Sequence, residues 1–597
     1  MTPTTLNEIF FGAAERYAGR PAVMRRKQNG QWHDVTFDTL FTRVHHVYSA
    51  LKGMQLQPGD RLAILAENRP EWAIVDYACL GARLVDVPLY PTLTPSQTAY
   101  ILRDCGAKGI FVSSAEHLRK VLDIRHELPD LQHIILFDGE SSEPGVITLQ
   151  DLEARGKAAA TSDEDWRAEA LAVTPDDLAT LIYTSGTTGE PKGVMLSHGN
   201  ITSNVVSALQ VLPIEETDEC LSFLPLCHIF ERMVGHYTMV QAGAIISYAS
   251  SADAAGKEIT EVRPTILGSV PRLYEKIYSA VLAKVMSGGQ LSRIIFTWAR
   301  EVGEARLTSR LAGRRGSVIT AFAYRIADAL VFAKLRERMG GRIKFAVSGG
   351  APLNTDICRF FLAAGITVFE GYGLSETSPV LTANSFAMLK PGTVGRPIPG
   401  VEIRIAEDGE ILARGPNIMK GYYHKPEATA EAIDRDGWFR TGDIGEIDSD
   451  GCLRITDRKK DLIKTSGGKY VAPQPIEGML KTNKFFSNAV LLGDRRKFPI
   501  MLLVPNFPAL ESWMAAAGIP VGSPKAVVED SRVREKLEHE ARKSLRDLAQ
   551  FETPKKFLLI PQDFTIESGE LTPTMKVRRK IVEQNYSAQI EAAYGGL

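Results

Sequence analysis

The stretch Leu178-Ala-Thr-Leu-Ile-Tyr-Thr-Ser-Gly-Thr-Thr-Gly-Glu-Pro-Lys-Gly193 carries the decisive signal in this chain. Its first part, Leu178 to Tyr183, is an apolar run of strand length. Thr, Ser and Gly follow at once. Glycine opens backbone angles closed to other residues, so several N–H groups can converge on one anion. The hydroxyls of Thr184, Ser185, Thr187 and Thr188 add donors around Gly186, and Lys192 adds a charge. A strand that runs into such a loop predicts a phosphate site on an α/β scaffold. It is not a Walker A loop, which ends in Gly-Lys-Ser/Thr. Here Pro191 precedes the lysine and Gly193 follows it.

Outward from this loop, the first half of the chain alternates strand-like and helical runs. Arg61 to Ala66, Leu84 to Leu89, Ile110 to Val112 and His133 to Phe137 read as strands. Glu71 to Arg83 and Pro95 to Asp104 read as helices. Such alternation predicts layered, largely parallel sheets. Residues 138–175 are polar and acidic and read as a surface connection. Beyond Gly400 the texture shifts to short strands and turns, with Asp448-Ser-Asp-Gly451 a strong turn signal. The expected organisation is a large domain over residues 1–459, with a β-rich subdomain at 400–457, followed by a new unit at 460–597, which the family resemblance carried by the motifs below implies to be a mobile α+β domain.

At 597 residues the chain is too long for one core. With 44% hydrophobic and 24% charged residues it reads as an ordinary globular protein. A formal net charge of −1 gives no global pull toward nucleic acid. Cys79, Cys105, Cys220, Cys227, Cys358 and Cys452 show no CxxC spacing, which disfavours structural zinc and predicts a reduced compartment. No signal peptide and no membrane-spanning run are recognisable. The expectation is a cytoplasmic protein, with peripheral contact at the inner membrane face left open. One segment departs from the neutral average. From Arg293 to Arg338 there are ten Arg and Lys against four Asp and Glu, a net of +6. The helical, basic region 285–342 reads either as a solvated hairpin or as a patch for anionic lipid or a partner.

Several further motifs accompany the loop: Leu224-Pro-Leu-Cys-His-Ile-Phe-Glu231, Gly268-Ser-Val-Pro-Arg-Leu-Tyr-Glu-Lys276, Ala346-Val-Ser-Gly-Gly-Ala-Pro352, Gly371-Tyr-Gly-Leu-Ser-Glu-Thr377, Gly437-Trp-Phe-Arg-Thr-Gly-Asp443, Asp457-Arg-Lys-Lys-Asp-Leu-Ile-Lys464 and Leu571-Thr-Pro-Thr-Met-Lys576. In this order they resemble the adenylate-forming, or AMP-binding, superfamily, from Glu67-Asn-Arg-Pro-Glu-Trp72 to Lys576. Among its members the chain is most similar to long-chain fatty acid–CoA ligases.

The resemblance implies roles residue by residue. Thr184, Ser185, Gly186, Thr187, Thr188 and Lys192 would handle ATP phosphates. Gly349, Gly350 and Ala351 would pack against adenine and Tyr372 would stack on it, while Glu370, Gly371, Gly373 and Ser375 would belong to the same ATP/AMP site. Ser375 stands where many members have Thr. Glu376 and Thr184 would hold Mg²⁺, and Asp443 and Arg458 the ribose. His228, Ser269, Val270 and Gly373 would shape the acyl pocket. Lys460 would be the hinge. Lys464, Gly467, Gly468 and Tyr470 would face coenzyme A, and Lys576 would serve adenylation. Met575 stands before that lysine where the commonest pattern has Gly. The implied reaction joins a long-chain fatty acid to coenzyme A through an acyl-adenylate. Alternatives are a fatty acyl-AMP ligase that loads a carrier protein, a ligase for medium-chain or aryl acids, and a non-catalytic lipid-binding scaffold. The last is disfavoured by the presence of Glu376, Asp443 and Lys576. Oligomeric state, monomer or homodimer, is left open.

Overall fold

The computed structural model describes residues 2–184, 190–314, 316–466, 469–565, 568–572 and 577–595. Among these residues two large sheets dominate the first domain. One has eight strands, with Leu178–Thr184, Val85–Leu89, Arg61–Leu65, Gly109–Val112, His133–Leu136 and Val146–Thr148 running parallel. Lys192–Ser197 and Gly421–Tyr422 extend its edge antiparallel. The other has nine strands, and its centre is the parallel set Ile245–Tyr248, Glu219–Ser222, Ile266–Ser269, Phe345–Ser348 and Val368–Gly373.

Strand periodicity explains why these runs are apolar throughout. Successive side chains point to opposite faces, and here both faces are covered. Leu62 and Ile64 enter one apolar cluster while Ala63 and Leu65 enter another. Phe345 and Val347 face the first cluster, and Ala346 faces a third. The shared cluster joins both sheets with the helices Leu6–Arg16, Phe37–Lys52, Pro70–Gly81 and His198–Val211, through Leu6, Val44, Trp72 and Ile201.

The strands Glu402–Ile405, Glu410–Arg414, Phe439–Ile447 and Leu453–Arg458 form a four-stranded antiparallel sheet. The chain then builds a smaller α+β domain. Its three-stranded sheet holds Phe486–Leu492, Ile500–Pro505 and Lys556–Leu559, and a two-stranded ribbon pairs Ile463–Lys464 with Tyr470–Val471. This is the α/β arrangement expected, a large domain followed by a smaller one.

The segment 138–175 is a correction. It is not a surface connection: Val146–Thr148 adds a parallel strand, and Leu149–Ala159 and Asp163–Leu171 are helices. Thr148 and Ser162 cap them by accepting the Asp151 and Asp165 amides at 3.0 and 3.1 Å. Trp166 is buried, with its ring 4.4 Å from His45 and 4.7 Å from Phe41. At Gly156 the first helix approaches its neighbour so closely that a Cβ would lie 1.7 Å from the His46 carbonyl oxygen. Polar outward faces hid two amphipathic helices.

Candidate active site

The central strands of the nine-stranded sheet run parallel, so their carboxyl ends share one edge. Crevices outside such an edge are the usual ligand position in α/β sheets. Ser222 leads toward His228, Ser269 toward Val270, Ser348 toward Gly349 and Gly350, and Val368–Gly373 ends in Gly371, Tyr372 and Gly373. The Gly349 amide donates to the Ser269 carbonyl at 3.0 Å. A Cβ on Gly349 would come within 3.0 Å of the Phe230 ring, and one on Gly373 within 1.7 Å of the Pro379 carbonyl oxygen. Gly350 adopts φ +78°, where glycine is favoured. Ala351 is exposed on the same turn. The expected acyl residues and the expected adenine residues thus share this edge.

His228 is partly buried and its Nδ1 accepts the Phe230 amide at 3.2 Å. Asn68 fixes the approach to it, donating to the Leu224 carbonyl at 2.6 Å and accepting the Leu226 amide at 2.9 Å. Below this segment lies a fully buried arginine. Arg232 donates to Asp86 at 2.8 Å, to Thr180 at 2.9 Å and to Tyr237 at 2.9 Å, and pairs with Asp76. It binds the His228 segment to the strand that leads into the phosphate loop. Burial raises the neighbouring Glu231 carboxyl to about 8.

The stems of that loop are well defined. Thr184 pairs with Lys192 across the antiparallel ladder. The helix Pro95–Cys105 ties both stems: Tyr183 donates to Asp104 at 2.5 Å, and Tyr100 donates to the Pro191 carbonyl at 3.1 Å. Ser185, Gly186, Thr187 and Thr188 lie outside the described residues. Lys192 Nζ sits 4.8 Å over the Tyr422 ring, and the Tyr422 hydroxyl donates to Glu376 at 2.9 Å. The Met419 amide donates to the Glu376 carbonyl, and the Tyr423 amide to that of Gly193. The strand Gly421–Tyr422 therefore brings Glu376, in the turn that follows Val368–Gly373 of the nine-stranded sheet, to the edge of the eight-stranded sheet where Lys192 pairs with Thr184.

Asp443 is buried. Tyr372 donates to its Oδ2 at 2.7 Å, and Arg458 Nε lies 3.2 Å from its Oδ1. Tyr372 thus bridges the strand edge to the four-stranded sheet with its hydroxyl. Ser375 opens a short turn, Ser375–Thr377, directly before Glu376's carboxylate seam. Glu370 is placed differently from its neighbours. Its carboxyl turns away to the Gly392 amide at 3.2 Å and toward Cys358, and burial raises it to about 7.

In the smaller domain, Lys460 is exposed in the turn between Arg458 and Ile463. Lys464 Nζ lies 5.3 Å over the Tyr470 ring. Gly467, Gly468 and Lys576 lie outside the described residues; on either side of the last, Leu571 and Val577 pair antiparallel. The three-stranded sheet separates the two segments. Ala489, Leu491, Met501 and Leu503 pack with Ile463 and Val471. Val490, Leu492, Ile500 and Leu502 pack with Leu571.

Tyr422, Asn68, Arg232 and Tyr100 were not anticipated from the sequence. Each acts through a partner at least 46 residues away, and only the Glu67-to-Trp72 motif hinted at Asn68. Among the described residues no group of three or more His, Cys, Asp and Glu side chains is arranged to hold a metal. A single carboxylate such as Glu376, reached from the Lys192 stem through Tyr422, suits Mg²⁺ bound largely through substrate phosphates.

The AMP-binding enzyme profile matches residues 10–423, and the AMP-binding enzyme C-terminal domain profile matches residues 460–597. The long-chain-fatty-acid–CoA ligase FadD15 of Mycobacterium bovis is 36% identical over 96% of this chain and 94% of its own. The peroxisomal long chain acyl-CoA synthetase 7 of Arabidopsis thaliana is 32% identical over 99% of this chain and 86% of its own. The fold matches that of the anthranilate CoA ligase AuaEII, crystallised with anthranoyl-AMP, at a TM-score of 0.75 and 20% identity, covering 99% of both chains. This chain belongs to the AMP-binding enzyme family.

Proposed function

We propose that this enzyme joins a long-chain fatty acid to coenzyme A, using ATP and releasing AMP and pyrophosphate. The observation that carries the nucleotide part is the Asp443 carboxylate, held by Tyr372 and Arg458 at the edge where Gly349 and Gly350 leave their strand. A carboxylate can accept both ribose hydroxyls. The acyl part rests on similarity to long-chain ligases and on the pocket-edge residues His228, Ser269 and Val270.

In the first step a substrate carboxylate oxygen attacks the α-phosphorus of ATP, and the bond to pyrophosphate breaks. Both partners are anions, so positive potential must be in place before they meet. Lys192 and the phosphate-loop amides supply part of it, and Lys576 the rest. Mg²⁺, when bound at Glu376 and Thr184, would neutralise the phosphate oxygens. In the second step the coenzyme A sulfur attacks the acyl carbon and AMP leaves. The Lys464-to-Tyr470 ribbon serves this step. Lys460 is the hinge about which the smaller domain turns, and the opposed packing of Ile463 and Leu571 supports two working faces.

The test is pyrophosphate release by the purified protein with ATP, Mg²⁺ and palmitate, with and without coenzyme A, alongside acetate and benzoate. Sustained turnover confined to palmitate with coenzyme A is expected. Turnover with a short or aromatic acid would discard the substrate and keep the mechanism. An adenylate that coenzyme A never discharges would indicate a carrier-protein acceptor.

A further inference from the structure

The hairpin that follows Val270 has an apolar side that stays exposed among the described residues. It starts at the acyl edge, since the helix Pro271–Ser287 begins directly behind Ser269 and Val270. The helices Gly289–Leu311 and Val318–Ala327 follow, the latter continued by a π-helical turn, Asp328–Phe332. Their inner side is conventional. Phe296, Ala299 and Leu307 pack with Tyr324, Ala327 and Phe332 against Phe360 and Phe361.

Ile319, Phe322, Ile326 and Leu330 lie on the other side, 82%, 65%, 41% and 45% exposed. Their spacings of three, four and four residues place them in one stripe along the helix, about 16 Å long at the helical rise. Val318, 85% exposed, extends it at the tip. A surface helix ordinarily presents polar residues outward. This one is apolar on both sides, and contiguous exposed apolar surface marks an interaction site.

The rim says what covers it. Arg325 is exposed on the stripe's own helix, and Arg310 and Arg314 are exposed where the preceding helix ends and turns into it. Of the four acids between Arg293 and Arg338, Glu304 is engaged by Arg359 and Asp328 by Arg336. The hairpin is thus strongly cationic in a chain whose formal charge is −1. A second copy is a poor occupant. A two-fold contact would set this cationic rim against itself. Nucleic acid would leave the stripe in water. An anionic bilayer surface satisfies both features, because apolar side chains enter the acyl boundary while arginines meet the headgroups.

We propose that this hairpin docks the enzyme on anionic membranes through the Ile319–Leu330 stripe. The helix that begins behind Ser269 and Val270 belongs to the same hairpin, so docking would tie the acyl edge to the surface of the lipid that dissolves a long-chain acid. That use of the surface rests on the long-chain reading above, whereas the docking does not.

The test is co-sedimentation of the full-length protein with phosphatidylcholine vesicles, and with vesicles carrying about one-third phosphatidylglycerol, at low salt and at roughly 0.5 M salt. Selective, salt-sensitive binding to the anionic vesicles is expected. Ile319→Asp with Phe322→Asp should weaken it about tenfold or more. Arg310→Gln with Arg314→Gln and Arg325→Gln should weaken it several-fold and flatten the salt dependence. Unchanged thermal unfolding would show that each variant is folded. Sedimentation with neither vesicle type, equal sedimentation with both, or full binding by the Asp variant overturns the proposal. So does concentration-dependent dimerisation that Phe322→Asp abolishes. Vesicle binding without palmitate turnover would sink the substrate and leave the docking standing.

Discussion

At the scale of single residues, the site is held by hydroxyls that reach across the sequence. Tyr372 grips Asp443, and Tyr422 grips Glu376. Hydrogen bonds to charged groups contribute about 1.5–3 kcal/mol. Tyr372→Phe should therefore raise the KM for ATP roughly tenfold, with a smaller change in kcat, in a pyrophosphate-release assay. Lys576→Ala should collapse adenylation and largely spare thioester formation from pre-made acyl-adenylate. Equal loss of both half-reactions would count against two separate working faces. The polar letters of these motifs were legible in sequence, because glycines, hydroxyls and a carboxylate in that order have few other uses. Their partners were not. Tyr422 sits in a stretch that looks like any loop, and its pairing with Glu376 spans 46 residues. Glu370 shows the converse. It stands beside Gly371 in a nucleotide motif, yet its carboxyl turns away to the Gly392 amide and Cys358, where burial holds it near 7.

At the scale of elements, apolar runs such as Arg61-Leu-Ala-Ile-Leu65 were readable as strands because both faces are covered, so every position must be apolar. The helices within 138–175 escaped because half of each is wetted, and because Gly156 and Trp166 have meaning only beside His46 and His45. Buried charge was equally silent in sequence. Asp76, Asp86 and Arg232 occur singly in apolar segments and become a cluster only when the helix Pro70–Gly81, the strand Val85–Leu89 and the π-helical turn Glu231–Tyr237 meet. Removing the cation would leave two carboxylates uncompensated, which costs about 3–5 kcal/mol. Arg232→Ala should lower the stability of the large domain by that amount in urea unfolding. It should also weaken ATP binding, since the phosphate-loop strand loses its anchor at Thr180. Stability within about 1 kcal/mol of wild type would show that the cluster is not an anchor.

At the scale of the whole molecule, the two domains meet around a carboxyl group out of its usual range. Asp457 is the last residue but one of the strand Leu453–Arg458 and is buried. Burial raises it to about 7; Asp461 and Glu477 push the same way, while the Arg458 amide and Arg579 oppose. Glu477 and Arg579 belong to the smaller domain and pair at 2.7 Å. An acid with a raised value carries no penalty while it stays protonated in both the docked and the undocked state. The docked arrangement therefore loses stability as pH rises from the ordinary carboxylate range toward 7, and levels off above it. Asp457→Asn should abolish this dependence, so its thermal unfolding advantage over wild type should widen from pH 5 to pH 8; a constant gap would rule the effect out. The division of the smaller domain's sheet has a consequence for chemical order. One sheet has two sides and can offer only one of them at a time, like a turnstile with a single arm. Under the proposed reaction a domain built this way would admit no shortcut: pyrophosphate would have to leave before the thiol is received, and the activated acid would wait while the arm comes round.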